Sequence, residues 1–181
     1  MKRKYNLALV PQTKADEIVR LAQKFSGLSD RYLLGENSYP HVTLYQFESE
    51  ENAVDATWFR ISAAWEEKPI TLEFHKFSCI TFDDIIYWIS LLPNQGDVLH
   101  KMHHSIAEMI GLPIKESFNP HMTLINSKNK DYEKGVLRLA PSYRPIADTF
   151  ILCQGRADEV GQVTEVLYRQ EAIKRNSCSA C

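Results

Sequence analysis

Two short stretches of this chain carry the residues best suited to chemistry. Pro40-His41-Val42-Thr43-Leu44 returns 80 positions later as Pro120-His121-Met122-Thr123-Leu124, with one apolar residue exchanged for another. In a β-strand, residues i and i+2 project from the same face. Each His-x-Thr therefore sets an imidazole beside a hydroxyl, while Val42 or Met122 points the other way. Two such strands facing one cleft would offer two imidazoles and two hydroxyls to a single ligand. In-line displacement at phosphorus needs a base for the attacking oxygen, an acid for the departing one, and donors for the non-bridging oxygens. His41, Thr43, His121 and Thr123 supply all of these. An unperturbed imidazole titrates near pH ~6.5, so such a pair can hold one neutral and one protonated member around neutrality. The scheme calls for no metal and no other cofactor. The bland alternative makes both boxes simple strand starts, with Pro kept out of the ladder and Thr chosen for β propensity. Matching Pro and Leu flanks on both copies weigh against it.

Other side chains are weaker candidates. Tyr45, at i+4 from His41, is expected on the same strand face, where its ring could stack on a base or its hydroxyl touch phosphate. Lys128, shortly after the second box, is the candidate cation for the rest of the substrate, with Lys130 and Arg144 behind it; loop charges are ordinarily just solvated. Tyr39, Phe118 and Tyr143 could wall a base-stacking site, although aromatics beside strands more often fill cores. His100, His103 and His104 fall at i, i+3 and i+4 of one helix, a spacing able in principle to hold zinc. The glutamate of His-Glu-x-x-His is missing and no cysteine is near in sequence, so packing or solvation is the favoured role. His75 reads as a half-exposed strand residue.

The elements that must position these groups follow from periodicity. Tyr5 to Pro11 reads as a strand, and Lys14 to Phe25 as a helix with Thr13 as its N-cap and Ile18, Leu21, Ala22 and Phe25 on one face. His41 to Phe47 alternates as a strand; Val54, Trp58, Ile61 and Trp65 keep helical spacing. Ile70, Leu72 and Phe74 mark a half-exposed strand, and Ile85 to Leu92 a buried one. A helix over about Gly96 to Ile110 precedes the second box, whose strand runs from Pro120 to Ile125. Thr149 to Arg156 and Gln162 to Glu171 close the chain as two strands joined through Asp158 and Gly161.

Composition sets the frame. The chain has 181 residues, with 44% hydrophobic and 24% charged, which fits one globular unit. A single domain over 1-175 with two intertwined lobes is expected, followed by a polar tail, 176-181. The formal net charge is -2 and the charges are interspersed, so a long grip on nucleic acid is disfavoured; a substrate would be short or held by one end. No apolar run reaches the roughly 20 residues of a membrane helix, and Leu7 to Val10 is too short for a signal-peptide core. A cytoplasmic monomer is expected. Cys79 and Cys153 lie in apolar stretches and read as reduced; Cys178-Ser-Ala-Cys181 is a poor match to a lipidation box because its middle residues are not aliphatic.

These motifs resemble those of the 2H phosphoesterase superfamily, particularly its LigT-like branch of RNA 2',3'-cyclic phosphodiesterases, also called 2'-5' RNA ligases. YNLALVP resembles that family's first strand, HVTLYQF its first His-x-Thr strand, and IIYWISLLP its buried strand with a tryptophan, here Trp88. VLHKMHHSIAEMIGL resembles the helix with a Leu-His pair, Leu99-His100, and FNPHMTL the second box. The resemblance implies an α+β fold: bilobal, two pseudo-symmetric lobes of mainly antiparallel sheet with outer helices around a central cleft. It implies His41 and His121 as acid and base in an order it leaves open, and Thr43 and Thr123 as phosphate-contacting hydroxyls. The implied activity is metal-independent cleavage of a 2',3'-cyclic phosphate or 2'-5' phosphodiester on a nucleotide or short RNA. The alternative is a non-catalytic nucleotide- or RNA-binding module using the same cleft. Many relatives carry an arginine after the second box where this chain reads Ile125-Asn126-Ser127-Lys128; a lysine lacks the planar fork of a guanidinium.

Overall fold

The computed structural model of the chain describes residues 2–65, 69–81, 85–129, 131–139 and 142–171. Lys130, Cys178 and Cys181, and the tail expected at 176–181, lie outside them. Within the described residues the element order is β1 (Lys2–Pro11), α1 (Ala15–Gln23), β2 (Val42–Glu50), α2 (Val54–Ala64), β3 (Ile70–Thr81), β4 (Tyr87–Pro93), α3 (Gly96–Ile110), β5 (Met122–Ser127), α4 (Tyr132–Leu139), β6 (Ile146–Ala157) and β7 (Val163–Arg169).

The seven strands form one antiparallel sheet in the order β2-β1-β6-β3-β4-β5, with β7 paired to β6 off this path. β6 is the hinge of the arrangement. One of its edges carries β1 from Phe150 to Arg156. Its other edge is shared: Ile146 to Phe150 pair with β3, and Cys153 to Ala157 with β7. The sheet thereby divides into a β2-β1-β6-β7 half and a β6-β3-β4-β5 half. The helices cross over, since α1, which follows β1, packs against β5, and α3, which precedes β5, packs against β2. The two halves are interlocked as the antiparallel, two-lobed α+β expectation requires.

Local physics explains most element ends. α1 buries Ile18, Leu21 and Ala22 and keeps Asp16 and Glu17 in its first turn, where the helix dipole favours them. Thr13 does not cap it. The Asp148 carboxylate of β6 accepts from the Thr13 and Lys14 backbone N–H groups (both 2.8 Å) and from the Thr13 hydroxyl (2.8 Å), which fastens the turn before α1 to the sheet. α3 ends at Gly111, whose φ of 69° is the left-handed conformation a glycine adopts without penalty, and Leu112 N–H closes the cap on Ala107 O at 2.9 Å. α4 has no counterpart in the periodicity reading. Gly135, a poor helix former in mid-helix, lets α4 lie close on Leu28: a Cβ there would stand 2.4 Å from Leu28 Cδ1, and the leucine tip would have to turn aside.

In β4 only Ile89, Ser90 and Leu91 are buried, while Tyr87 and Trp88 are half-exposed and Ile85 is 60% exposed. This strand is therefore less enclosed than its apolar run suggests; Tyr132 of α4 stacks on Tyr87 with ring centroids 4.5 Å apart. Cys79 is exposed on β3, against the expectation from its apolar neighbours, and Cys153 is buried; partial loss of water and the Glu133 carboxylate push the Cys79 thiol up to about 11, and full burial pushes Cys153 up to about 12.

Candidate active site

β2 and β5 lie at opposite ends of the strand path, yet the twist of the sheet brings both boxes to one cleft of about 450 Å³. His41, Thr43, His121 and Thr123 all line it, together with Tyr45, Gln46, Lys115, Phe118, Asn119 and Gln162. The two boxes are built alike down to single atoms. His41 Nδ1 donates to Tyr39 O at 2.7 Å, and His121 Nδ1 to Asn119 O at 2.7 Å. A carbonyl can only accept, so each Nδ1 holds a proton and each Nε2 is left for the ligand.

A second match lies in the strand ladder. Leu7 pairs with Tyr45 and Ala8 with Thr43, leaving Leu44 as an extra residue; Ile89 pairs with Ile125 and Ser90 with Thr123, leaving Leu124 extra. Both boxes thus end in a β-bulge at their leucine. The freed carbonyls take partners from outside the ladder: Leu44 O accepts from His103 Nδ1 at 2.7 Å, and Leu124 O from Leu34 N–H at 2.9 Å. A bulge bends its strand and re-aims the side chains around it.

The bulge also overturns the strict alternation assumed for Tyr45. Burial along β2 runs Val42, Leu44, Tyr45, Phe47, with Thr43 and Gln46 half-exposed, so the phase changes at the extra residue. Tyr45 touches the cleft but is 3% exposed. Its hydroxyl donates to Pro113 O at 2.7 Å, and its ring stacks on His103 with centroids 5.3 Å apart. It braces the wall and has neither hydroxyl nor that stacked face free for a substrate. Lys128 is likewise placed elsewhere. It follows β5, five residues beyond Thr123 and so roughly 17 Å along an extended chain, and its backbone N–H donates to the Asp30 carboxylate. Lys128 does not line the cleft.

Several contributors are not legible from motif spacing. Asn6 on β1 donates through Nδ2 to Thr43 Oγ1 (3.4 Å) and to Gly161 O (2.6 Å), so the Thr43 hydroxyl proton is left to point at a ligand. Gln162 reaches the cleft from the β6–β7 loop, where Asp158 Oδ1 accepts from Val160 N–H (3.0 Å) and Gln162 N–H (2.8 Å). Lys115 enters from the segment between α3 and β5 and is the cation among the described cleft residues. Phe118, weighed as a stacking wall, lies against His103 at 4.2 Å with planes 5° apart. Tyr143 instead packs on Phe77 at 4.8 Å and donates to Phe74 O, away from the cleft, and Arg144 is also elsewhere.

The histidines of α3 do not converge as metal ligands. His103 is fully buried with both ring nitrogens used, Nδ1 on Leu44 O and Nε2 accepting from Lys115 N–H at 3.1 Å. His100 faces Gly96 O and Phe118 O. Among the described residues no group of three or more His, Cys, Asp or Glu side chains is placed to hold a metal ion. His75 sits in a bulge of β3 beside Glu73, 3.0 Å away.

Burial depresses both cleft imidazoles. His41, 5% exposed, is pushed down to about 4, chiefly by loss of water, with the Tyr39 carbonyl opposing; His121 is lowered by the same cause. His121 adds a repulsive contribution at His41, which places the two rings within electrostatic reach of one another. Loss of water thus favours the neutral form of both rings around pH 7, against the mixed pair that the unperturbed value allows.

The model of the 2'-5' RNA ligase superfamily matches residues 10–150, well over half of the chain. The chain belongs to that superfamily. The 2'-5' RNA ligase fold is also found in solved structures: a phosphoesterase (TM-score 0.59, 14% identity, 94% of this chain and 98% of that one) and E. coli LigT complexed with NADP+ (the same four values). E. coli LigT complexed with 3'-AMP follows at TM-score 0.57 and 14% identity, over 93% of this chain and 96% of that one. At such identities the likeness is one of fold, and it confirms the LigT-like α+β architecture. No curated protein matches the chain in sequence. Among the described residues no helix of this 2'-5' RNA ligase superfamily member is long and apolar enough to cross a membrane.

Proposed function

We propose that this chain is a metal-independent phosphodiesterase that cleaves a 2',3'-cyclic phosphate or a 2'-5' phosphodiester of a nucleotide or short RNA by two-histidine acid–base catalysis. The observation that carries the reading is the atom-for-atom likeness of the two boxes around one cleft: two imidazoles fixed through Nδ1, with Nε2 free, each beside a threonine. On this reading the catalytic unit is a single domain over residues 1–175.

One imidazole Nε2 removes the proton from the attacking water, and the other, as imidazolium, returns a proton to the departing ribose oxygen. The Thr43 and Thr123 hydroxyls donate to the non-bridging oxygens and gain strength as negative charge accumulates there. The enclosed and more depressed His41 is suited to the base. His121, less enclosed, is suited to take up the proton when an anionic phosphate enters and raises its pKa. No carboxylate lines the described cleft, so the donor set itself is that of proton transfer and hydrogen bonding. Nucleotide-sized ligands fit a cleft of this volume, and E. coli LigT, with the same fold, has been solved with 3'-AMP.

The test is turnover of 2',3'-cyclic nucleotides and 2'-5' oligoadenylate in the presence of a chelator. His41→Ala and His121→Ala should each lower turnover by about 10²-fold or more. Substrates left uncut by the intact protein, or turnover unchanged in both variants, would rule the reading out. Binding without turnover would leave the cleft as a recognition module.

A further inference from the structure

The segment between α3 and β5 is long, irregular and exposed, yet it is fastened at three points. Tyr45 Oη donates to Pro113 O at 2.7 Å, Lys115 N–H donates to His103 Nε2 at 3.1 Å, and the Phe118 ring lies flat on the His103 imidazole at 4.2 Å. His103 is the rivet. Fully buried in α3, it joins this strap to the Leu44 carbonyl of the first box. The effect is to hold one ammonium in place: Lys115 Nζ donates to Gln46 O at 3.2 Å and stands 4.8 Å from the centre of the Tyr45 ring. A free surface lysine would lose rotamer freedom on binding an anion, whereas this one has already given much of it up.

Its position relative to the boxes matters. Gln46 lies beyond Thr43 on β2, past the Leu44 bulge, so the ammonium held on its carbonyl stands further along the cleft wall than the Thr43 hydroxyl. With both cleft imidazoles neutral, Lys115 is also the fixed positive charge that the described lining offers.

We infer that Lys115 is a specificity-determining residue that binds a second phosphate of the substrate, one nucleotide linkage away from the group held by the two boxes. The ligand class this selects is an oligonucleotide end or a nucleoside bisphosphate over a lone mononucleotide. The inference rests on the proposed placement of one phosphate between the boxes, and it names what lies beyond that phosphate. Loss of water around Lys115 lowers its pKa, so part of the desolvation cost of binding an anion is already met.

The experiment is calorimetric titration of the full chain with adenosine 3'-monophosphate and adenosine 3',5'-bisphosphate at fixed ionic strength. The intact protein should prefer the bisphosphate by about tenfold, the effect of one well-placed charge-assisted contact. Lys115→Met, which keeps an aliphatic stem over Tyr45, should bring the ratio of the two affinities close to one. Lys115→Arg should retain most of the preference. An unchanged ratio in Lys115→Met, a ratio near one in the intact protein, or binding of neither ligand overturns the inference. Turnover of a 2',3'-cyclic nucleotide is read separately. Turnover with the ratio unchanged in Lys115→Met keeps the phosphodiesterase and removes the lysine site; a lost preference without turnover keeps the lysine site and removes the phosphodiesterase.

Discussion

His41 and His121 look interchangeable in sequence and differ in their surroundings. Both use Nδ1 on the carbonyl two residues back, but His41 is 5% exposed and His121 only half-buried. The difference has a consequence for pH dependence. On the proposed assignment, kcat/KM calls for a free protein with His41 neutral, a condition met above about 4, and His121 protonated, a condition lost as pH rises past its lowered pKa. The optimum of kcat/KM is therefore expected on the acid side of pH ~6.5. The alkaline limb of kcat should lie at higher pH, because the bound anionic phosphate favours the imidazolium. Initial rates over a pH series check both limbs; a kcat/KM that is still rising above neutrality would refute the assignment. At this scale the motif residues were legible, because a repeated pentapeptide is a local signal. Lys128 is the cation nearest in sequence after the second box, whereas the cation among the described cleft residues is Lys115, delivered by a strap whose course no spacing rule reveals.

At the scale of elements, two bulges and one carboxylate do much of the positioning. The extra residues Leu44 and Leu124 change the phase of β2 and β5 just past each threonine, so Gln46 and not Tyr45 holds the half-exposed position. Periodicity assumes a regular ladder and is blind to a bulge, which depends on what the neighbouring strand does. Thr13 was a reasonable N-cap by type, but Asp148, 135 positions away, meets the N–H groups before α1. Asp148→Ala should destabilise the chain by about 2–3 kcal/mol by stranding those donors, as read from denaturant midpoints at constant m. Burial alone would raise this carboxyl, yet the hydrogen bonds from Thr13, Lys14 and Thr149 bring it below the usual carboxylate range. Its contribution is accordingly present above that range and lost as pH falls through it. Wild-type stability in the Asp148→Ala variant would count against this role.

The whole molecule is one sheet whose two end strands meet at a cleft, so folding and site assembly are a single event. Stability should therefore report on the site. His41 titrates at about 4 when folded and near pH ~6.5 when unfolded, so the unfolded chain binds the extra proton between these values. Stability from this group is complete above the unfolded value and falls as the solution is acidified. From pH 7 to pH 5 the loss is about 2 kcal/mol. Thermal or chemical unfolding of the intact protein and of His41→Asn at both pH values checks it: the variant should lose less on acidification, and equal losses would contradict the burial that drives the shift.

The sequence by itself determined the candidate site residues and most of the elements. His41, Thr43, His121 and Thr123 followed from two copies of one strand pattern, and β1, β2, α3 and β5 from periods of two and 3.6 residues, both properties of neighbours along the chain. Only the tertiary structure decided that the boxes share a cleft, that the helices α1 and α3 cross to opposite halves, and that Asn6, Lys115 and Gln162 complete the lining. Loss of water in that cleft also favours the neutral form of both imidazoles, where the unperturbed value near pH ~6.5 allows one of each. The physical reason is common to all of these. Proximity between residues far apart in the chain, and the exclusion of water that follows from it, are properties of packing that no local pattern encodes.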